Sequence, residues 1–311
     1  MNNRIQTSWQ VFRASLNVMR HNPMLLAFPA LIAVFTLGIM LFFAAPVALQ
    51  PTGHSYLEAA HWKAVESSLL TDDSIKNLSD STQRHPPIRL KGRASAYLII
   101  IYFASMFFAT FFNVAFCSQI FKALDGKPVS IAEGLRYAVD RWKPILFWSL
   151  MAGLVGLLIK KLEQRFGFVG KIVMNLVGVA WSVASVFAIP VIVRETAVVN
   201  PVEILKLSAS AIKKTWGETL LGWVGIQFGG FIAVLGSITL LVAGGMMTFW
   251  LGSPWPIIIA SACWVAGLVI FAYLSSVAAL IYQCGLYLYA STGLVPPPYD
   301  RPMMDIAWKT K

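Results

Sequence analysis

Between Thr219 and Tyr299 the chain carries no Asp, Glu, Lys, Arg or His, a gap of 81 residues. A soluble domain needs charge on its solvated face, so a gap of this length excludes one. A bilayer asks for it: a spanning helix takes about 20 apolar residues, and one charge at its centre costs roughly 2.5–3.5 kcal/mol. Cysteines are also few. Cys117, Cys263 and Cys284 lie in or at the ends of apolar segments, and an odd count there argues against a disulfide framework. They read as small apolar fillers. Catalytic signatures are missing as well: there is no nucleophile elbow, no His-Glu-x-x-His, no phosphate-binding glycine loop and no acidic pair facing a cleft. The expectation is therefore a non-enzymatic chain with no catalytic, cofactor-binding or metal residues and no cofactor.

What the chain does have is hydrocarbon. Hydrophobic residues make up 57% and charged ones 13%, with a mean hydropathy of +0.67, as in a polytopic membrane protein. The net charge of +11 would suggest nucleic acid in a soluble protein. Here the cations sit at the ends of apolar segments, where they meet headgroups, and no basic cluster is interleaved with aromatics. Nucleic acid is not an expected partner; the lipid bilayer is. The run Met24–Leu49 is too long for a signal-peptide core of about 7–15 residues. Despite Ala44-Ala45 near its end, it is expected to remain as a first span.

Uninterrupted apolar stretches give six spans, roughly 24–45, 94–117, 144–162, 170–193, 219–243 and 256–284. A short polar hairpin, Lys160 to Arg165, joins the third and fourth, and Gly244-Gly245 through Trp255-Pro256 is a turn-rich break between the last two. Trp142, Trp216, Trp250 and Trp255 fit an interfacial aromatic belt. Pro29 and Pro190 fall within spans and are expected to kink or break them.

Before the first, third and fifth spans stands the same object. Ile5, Trp9, Phe12, Leu16 and Met19 step by four and three, which places them on one helical face. Ile131, Leu135, Ala138 and Trp142 repeat the stripe, and so do Val202, Leu205, Ala209, Ile212 and Trp216. Each helix opens on a capping-box pattern: Asn3 with Gln6, Ser130 with Glu133, and Asn200 with Glu203 behind Pro201. The exits match too, since Cys117 to Pro128 and Pro190 to Pro201 are 11 residues and Cys284 to Pro296 is 12. The predicted fold is all-α: a polytopic membrane helix bundle of six transmembrane helices, in three repeats of amphipathic helix plus helical hairpin. The six-span membrane domain is 1–296, with repeats at about 3–125, 129–199 and 200–296 and an external loop 46–93. Residues 297–311 form a cytoplasmic tail.

An even span count puts both termini on one side. With them inside, cytoplasmic segments carry 15 Lys and Arg against ten outside. That favours termini in the cytoplasm, although Arg89-Leu90-Lys91-Gly92-Arg93 lies on the opposite side, just before the second span. Basic amphipathic helices ordinarily lie in the interface plane; the sharper expectation is a cytoplasmic platform for anionic lipid or an unidentified protein partner.

Loop 46–93 offers His54, Glu58 and His61, which would share one face of a helix, with Asp72, Asp73 and His85 as further candidates. Metal ligands need such convergence, but nothing fixes these together, and solvated loop residues are the ordinary reading. Asn77-Leu78-Ser79 matches a glycosylation sequon by pattern only. No span has an ionisable residue at its middle, which argues against proton or sodium coupling. Asn113, Gln119, Gln283 and similar polar residues read as interhelical hydrogen-bonding groups, and Gly225-x-x-x-Gly229 and Ala262-x-x-x-Ala266 as packing motifs.

Ser8-Trp-Gln-Val-Phe-Arg, followed by His21-Asn-Pro-Met-Leu-Leu-Ala-Phe-Pro29, resembles the opening of an uncharacterised family of bacterial six-span membrane proteins. Ala188-Ile-Pro-Val-Ile-Val-Arg-Glu195, with Ile204 and Lys213-Lys-Thr-Trp-Gly217, resembles it as well. More distantly, the layout is similar to the membrane domain attached to some glycerophosphodiester phosphodiesterases, whose catalytic domain has no counterpart here. The resemblance implies a bacterial inner-membrane protein and carries no catalytic residue. The leading expectation is a membrane component in envelope organisation, assembly or lipid homeostasis. The alternatives are a transporter or pore for an uncharged or lipid-like solute, and a membrane-embedded lipid enzyme.

Overall fold

The computed structural model describes residues 2–71, 90–165 and 168–300, and the side chains among these outside 2–9, 164, 168–169 and 215–237. Among them the chain is all-helical, with one isolated bridge between Leu70 and Leu90. The helices are α1 (Asn2–His21), α2 (Met24–Ala48), α3 (Ala59–Leu69), α4 (Gly92–Leu124) and α5 (Ile131–Asp140). They continue with α6 (Trp142–Arg165), α7 (Phe168–Ala184), α8 (Ala188–Arg194), α9 (Pro201–Leu251) and α10 (Trp255–Thr292). Among the described residues five stretches are long and apolar enough to cross a membrane: Met24–Ala48, Gly92–Leu124, Trp142–Glu163, Gly170–Arg194 and Trp255–Thr292. The expected fifth span, 219–243, runs inside α9 at residues whose side chains lie largely outside the described set, and a shorter apolar stretch, Ile238–Leu251, follows it.

The core occupies one end of the bundle. It joins the start of α2 (Leu25, Phe28), the end of α4 (Val114 to Leu124), α8 (Ala188 to Val193) and the end of α10 (Val277 to Ala290) with faces of α1, α5 and the start of α9. Phe28 stacks on Phe116 at 5.1 Å, and Trp148 on Trp181 at 6.0 Å. Cys117 and Cys284 face each other here, Sγ to Sγ 3.1 Å, while Cys263 is exposed.

The amphipathic segments turn their hydrophobic stripes to the core, but the most buried line lies to one side of each stripe's large residues. In α5 the buried residues are Gly134 and Ala138, with Ile131 and Leu135 half-buried; in α9 they are Ile204, Ser208, Ala211 and Ile212, with Leu205 at the flank and Val202 exposed. In α1 they are Val11, Ala14, Ser15, Val18 and Met19, flanked by Phe12 and Leu16. Small residues take the contact line because they let backbones approach closely. At Gly134 a Cβ would meet the Ala115 carbonyl oxygen at 2.9 Å and Phe28 Cζ at 3.0 Å. Each segment packs on helices of another stretch of chain: α5 on α4, the start of α9 on α7 and α8, and α1 on α9 and α10.

Chain breaks differ from expectation in three places. No break separates the third amphipathic segment from its span: α9 is one helix of 51 residues, about 77 Å if straight, so this segment is carried on the span axis instead of lying as a separate surface helix. The turn before α10 falls inside the expected break 244–256 but only at its end, at Gly252–Pro254, with Gly252 left-handed at φ 59°. Gly244 stays helical and serves packing, since a Cβ there would lie 2.5 Å from Ala260 Cβ. The fourth span breaks at 185–187, ahead of Pro190, which sits in the first turn of α8 where a missing N–H costs little; α2 runs unbroken through Pro29 and Pro46. The backbone freed at the break finds side chains. Ser208 Oγ donates to the Ala184 carbonyl (2.6 Å) and accepts from Phe187 N–H (3.0 Å), and Gln283 donates to the Val186 carbonyl.

Capping follows the sequence only in part. Asn200 accepts from Val202 N–H at 2.9 Å. Ser130 caps nothing with its side chain; its own N–H donates to Gln119 Oε1 at 3.0 Å, and Glu133 pairs with Lys122 instead. Asn3 and Gln6 lie outside the described side chains.

Candidate functional site

Away from the core, α2 and α4 line a groove of about 690 Å³. Along α4 its lining runs from Ala94 to Asn113, about 28 Å of helix and close to the ~30 Å hydrocarbon thickness. The lining has no acidic, basic or imidazole side chain and few polar ones: Thr36, Tyr97, Ser105 and Asn113. Two of these are engaged, since Asn113 donates to the Ala109 carbonyl at 2.8 Å and the Tyr97 hydroxyl to the Phe43 carbonyl at 2.8 Å. Met40 and Leu98 in the lining are exposed, so the groove opens sideways. Such a cavity can hold hydrocarbon and nothing charged.

The far end of the groove is bordered by α3, through Trp62 and Leu69. His61 fixes that helix in place. It is fully buried, its Nε2 donates to the Ala48 carbonyl at 2.8 Å, and its Nδ1 lies 2.6 Å from Thr52 Oγ1. A carbonyl only accepts, so Nε2 carries the proton and Thr52 satisfies Nδ1. With both nitrogens engaged, His61 is neither a solvated loop residue nor a free ligand. His54 and Glu58 precede α3 instead of sharing its face; they approach each other at 3.8 Å and are exposed. Asp72, Asp73, Asn77 and His85 lie outside the described residues. Among the described residues no group of three His, Cys, Asp or Glu could hold a metal.

A polar network covers the core end. Arg141, just after α5, donates to the carbonyls of Ile192 (3.0 Å), Glu195 (3.1 Å) and Val198 (3.1 Å), and also to that of Thr196. A guanidinium there satisfies the orphan carbonyls that end α8 and opposes the negative end of its dipole. The Tyr137 hydroxyl donates to the Val193 carbonyl, and burial pushes that phenol up. Arg194 lies over the Phe121 ring at 4.9 Å and 3.9 Å from Asp125; Tyr287 donates to Glu195 Oε1 at 3.2 Å. Lys122 holds the Glu133 carboxyl below its usual range by a hydrogen bond and by charge. These charges are paired or spent on carbonyls, so the cluster is structural in character and presents no free acid–base pair.

Sequence reasoning missed Tyr299, assigned to a tail. Its ring lies against Gly285, where a Cβ would come within 3.1 Å, and against Tyr282 at 6.2 Å. Ser15 Oγ donates to the Val11 carbonyl (3.0 Å), so the Tyr299 hydroxyl, 2.7 Å away, donates to Ser15. The signal available was Pro296-Pro297-Pro298-Tyr299, a stiff segment ending in an aromatic. Of the polar span residues, Gln119 and Gln283 bond between segments as expected, whereas Asn113, Ser182 and Ser185 turn back on their own helices. Ala262 and Ala266 are exposed, not packed.

A family of unknown function, DUF6159, matches residues 94–296, from the second helix of the groove to the end of the bundle. The chain belongs to that family. The matched stretch includes Ala188–Gly217, one of the two segments that carried the resemblance, and not Ser8–Pro29. No curated protein and no solved structure matches the chain.

Proposed function

We propose that this DUF6159 protein is a non-enzymatic component of a bacterial inner membrane that acts in lipid homeostasis of the envelope. The carrying observation is the groove between α2 and α4: an apolar cavity of hydrocarbon length, open sideways, in a bundle where Arg141 and Arg194 at the core end are engaged by carbonyls and Asp125. The lining offers no carboxylate or imidazole to activate the hydroxyls of Thr36 and Ser105, which supports a binding role over a catalytic one. The proposal includes six spans in three units. The like burial of α1, α5 and the start of α9, each packed on another unit, supports that arrangement. Both termini are placed in the cytoplasm on the 15-to-10 basic bias. The α1 face there carries an open depression of about 520 Å³ edged by Arg13 and Arg20, suited to anionic headgroups.

Deleting the gene and measuring membrane lipid composition tests the role; a changed ratio of phospholipid classes is expected, and an unchanged one refutes it. In a Cys263→Ala background, an impermeant thiol reagent should modify Ser55→Cys and spare Ser210→Cys; the reverse overturns the orientation. A second reading, a carrier for a lipid-like solute, draws on the same groove. Accelerated movement of labelled lipid between leaflets in proteoliposomes would favour it.

A further inference from the structure

The segment Lys91-Gly92-Arg93 runs against the charge bias of the rest of the chain, and the structure places it at the rim of the groove. Leu90 and Ala94 both line the cavity, so Lys91 and Arg93 are bracketed by lining residues. Lys91 is anchored there: its N–H donates to the Leu69 carbonyl at 2.8 Å and its ammonium to the Ser67 carbonyl at 2.7 Å, at the end of α3. That bond uses one of three ammonium donors, which leaves a fixed cation beside the cavity mouth. Arg93 is exposed. Trp62 and Tyr56 stand at the same end, with Trp62 Nε1 donating to the Tyr56 carbonyl at 3.0 Å. Indole and phenol rings settle at the headgroup level, which identifies this rim as the membrane–water boundary. An apolar groove then descends about 24 Å along α2, from Ala48 to Ile32, with no charge in its lining.

We propose that the groove between α2 and α4 is a specific site for one anionic phospholipid, with acyl chain in the cavity and phosphate at Lys91 and Arg93. This deepens the lipid reading above and rests on it. Each half of the site selects a different half of the ligand. The uncharged lining rejects anything but hydrocarbon, and the paired cations on the side away from the termini favour a net negative headgroup over a zwitterionic one. Helix α3 makes the site a defined one. Held by His61 on Ala48 and Thr52, it borders the cavity with Trp62 and Leu69 and keeps Lys91 in register with the mouth.

Extraction of the full chain in lipid nanodiscs, followed by native mass spectrometry and analysis of retained lipid, tests this. Wild type should retain about one phospholipid per chain, enriched in phosphatidylglycerol over the surrounding membrane. Ala44→Trp with Ala109→Trp fills the groove at two exposed lining positions and should lower retention about tenfold without lowering the melting temperature. Lys91→Gln with Arg93→Gln should keep the lipid but abolish its anionic enrichment, a change of about tenfold for two surface cations. Equal retention in the filled variant, detergent alone in the wild type, or a second copy of the chain that leaves on filling would each overturn the site. So would a wild type with no preference for anionic lipid. Bound lipid with the expected variant behaviour, in a strain whose deletion leaves lipid composition unchanged, would keep the site and refute the homeostatic role. Altered composition with an empty groove would do the opposite.

Discussion

At the end where α1, α5 and the start of α9 gather, Leu25, Phe28, Ile145, Phe187, Ile204 and Ile281 are wholly buried. Two to four turns further along the same spans, Val34, Met40, Phe42, Leu154, Leu176 and Val269 are more than half exposed. Hydrophobicity is alike in the two regions, so it did not decide which one packs. In lipid, apolar surface gains little by leaving hydrocarbon for protein, and helices associate through close fit and hydrogen bonds. The packed end has both: Gly134 against Ala115, Ser208 and Gln283 on the break in the fourth span, and Arg141 on four carbonyls. At the other end close fit is local, as at Gly244 against Ala260, and α2 and α4, bridged there by the Tyr97 bond to the Phe43 carbonyl, leave a groove between them.

The comparison breaks most directly at phenylalanine. Phe28→Ala should cost about 3–5 kcal/mol, because it leaves a cavity among Gly134, Phe116 and their neighbours. Phe42→Ala, 73% exposed, should stay within about 0.5 kcal/mol. Denaturant unfolding in lipid with both variants checks this, and equal losses would abolish the distinction. Next in size, Arg141→Gln should cost about 1.5–3 kcal/mol by orphaning the carbonyls after α8, with incomplete rescue by Arg141→Lys, which lacks the fork. Raised proteolysis around 195–198 in the Gln variant is the accompanying readout.

Glycines sharpen the same contrast. Gly134→Ala should destabilise by about 1–3 kcal/mol, since neither the Ala115 carbonyl nor Phe28 has room to withdraw. Gly38→Ala, with nothing within 4 Å, should be neutral or stabilising by up to about 1 kcal/mol. Their difference in thermal midpoint tests the pair, and a Gly38 variant as damaged as the Gly134 one would contradict it. Tyr299→Phe keeps the ring on Gly285 and removes the bond to Ser15, for about 1 kcal/mol. A double-mutant cycle with Ser15→Ala should show that the two losses are shared; simple addition would mean the bond contributes nothing.

The smallest effect concerns pH. Lys122 depresses the Glu133 carboxyl in the folded state, so this pair stabilises above the unfolded glutamate value of about 4.3. Its contribution disappears as pH falls through the lower folded value. Both groups are well exposed, so the slope is shallow and screened by salt. Thermal midpoints measured down to pH 3 should fall slightly less for Glu133→Gln than for wild type, and a steeper fall in the variant would reverse the assignment.

Sequence patterns made the helices and their apolar spans legible because hydrocarbon tolerates little else: backbone groups must bond within a segment, and charge is expelled to its ends. They made α1 and α5 legible as separate amphipathic helices, because polar and apolar residues alternate there at helical period. The buried line within those helices was not. A moment built from Phe12, Leu16 or Leu205 points at the largest residues, whereas contact is made where Ser15, Gly134 and Ser208 allow backbones to meet. Nor could periodicity show that α9 continues unbroken, because Gly244-Gly245 is not a sufficient helix stop where Ala260 packs against Gly244.

The candidate site divides along the same boundary. The order of residues determined that the apolar runs carry no charge at their middles and that Lys91 and Arg93 stand beside one of them. Only the tertiary structure decided that α2 and α4 line a groove there, that His61 seats α3 at its border, and that two cations stand at the mouth of that hydrocarbon groove. Those are relations among segments tens of residues apart, set by which helices fit closely and which do not, and side-chain fit is a property that local hydrophobicity does not encode.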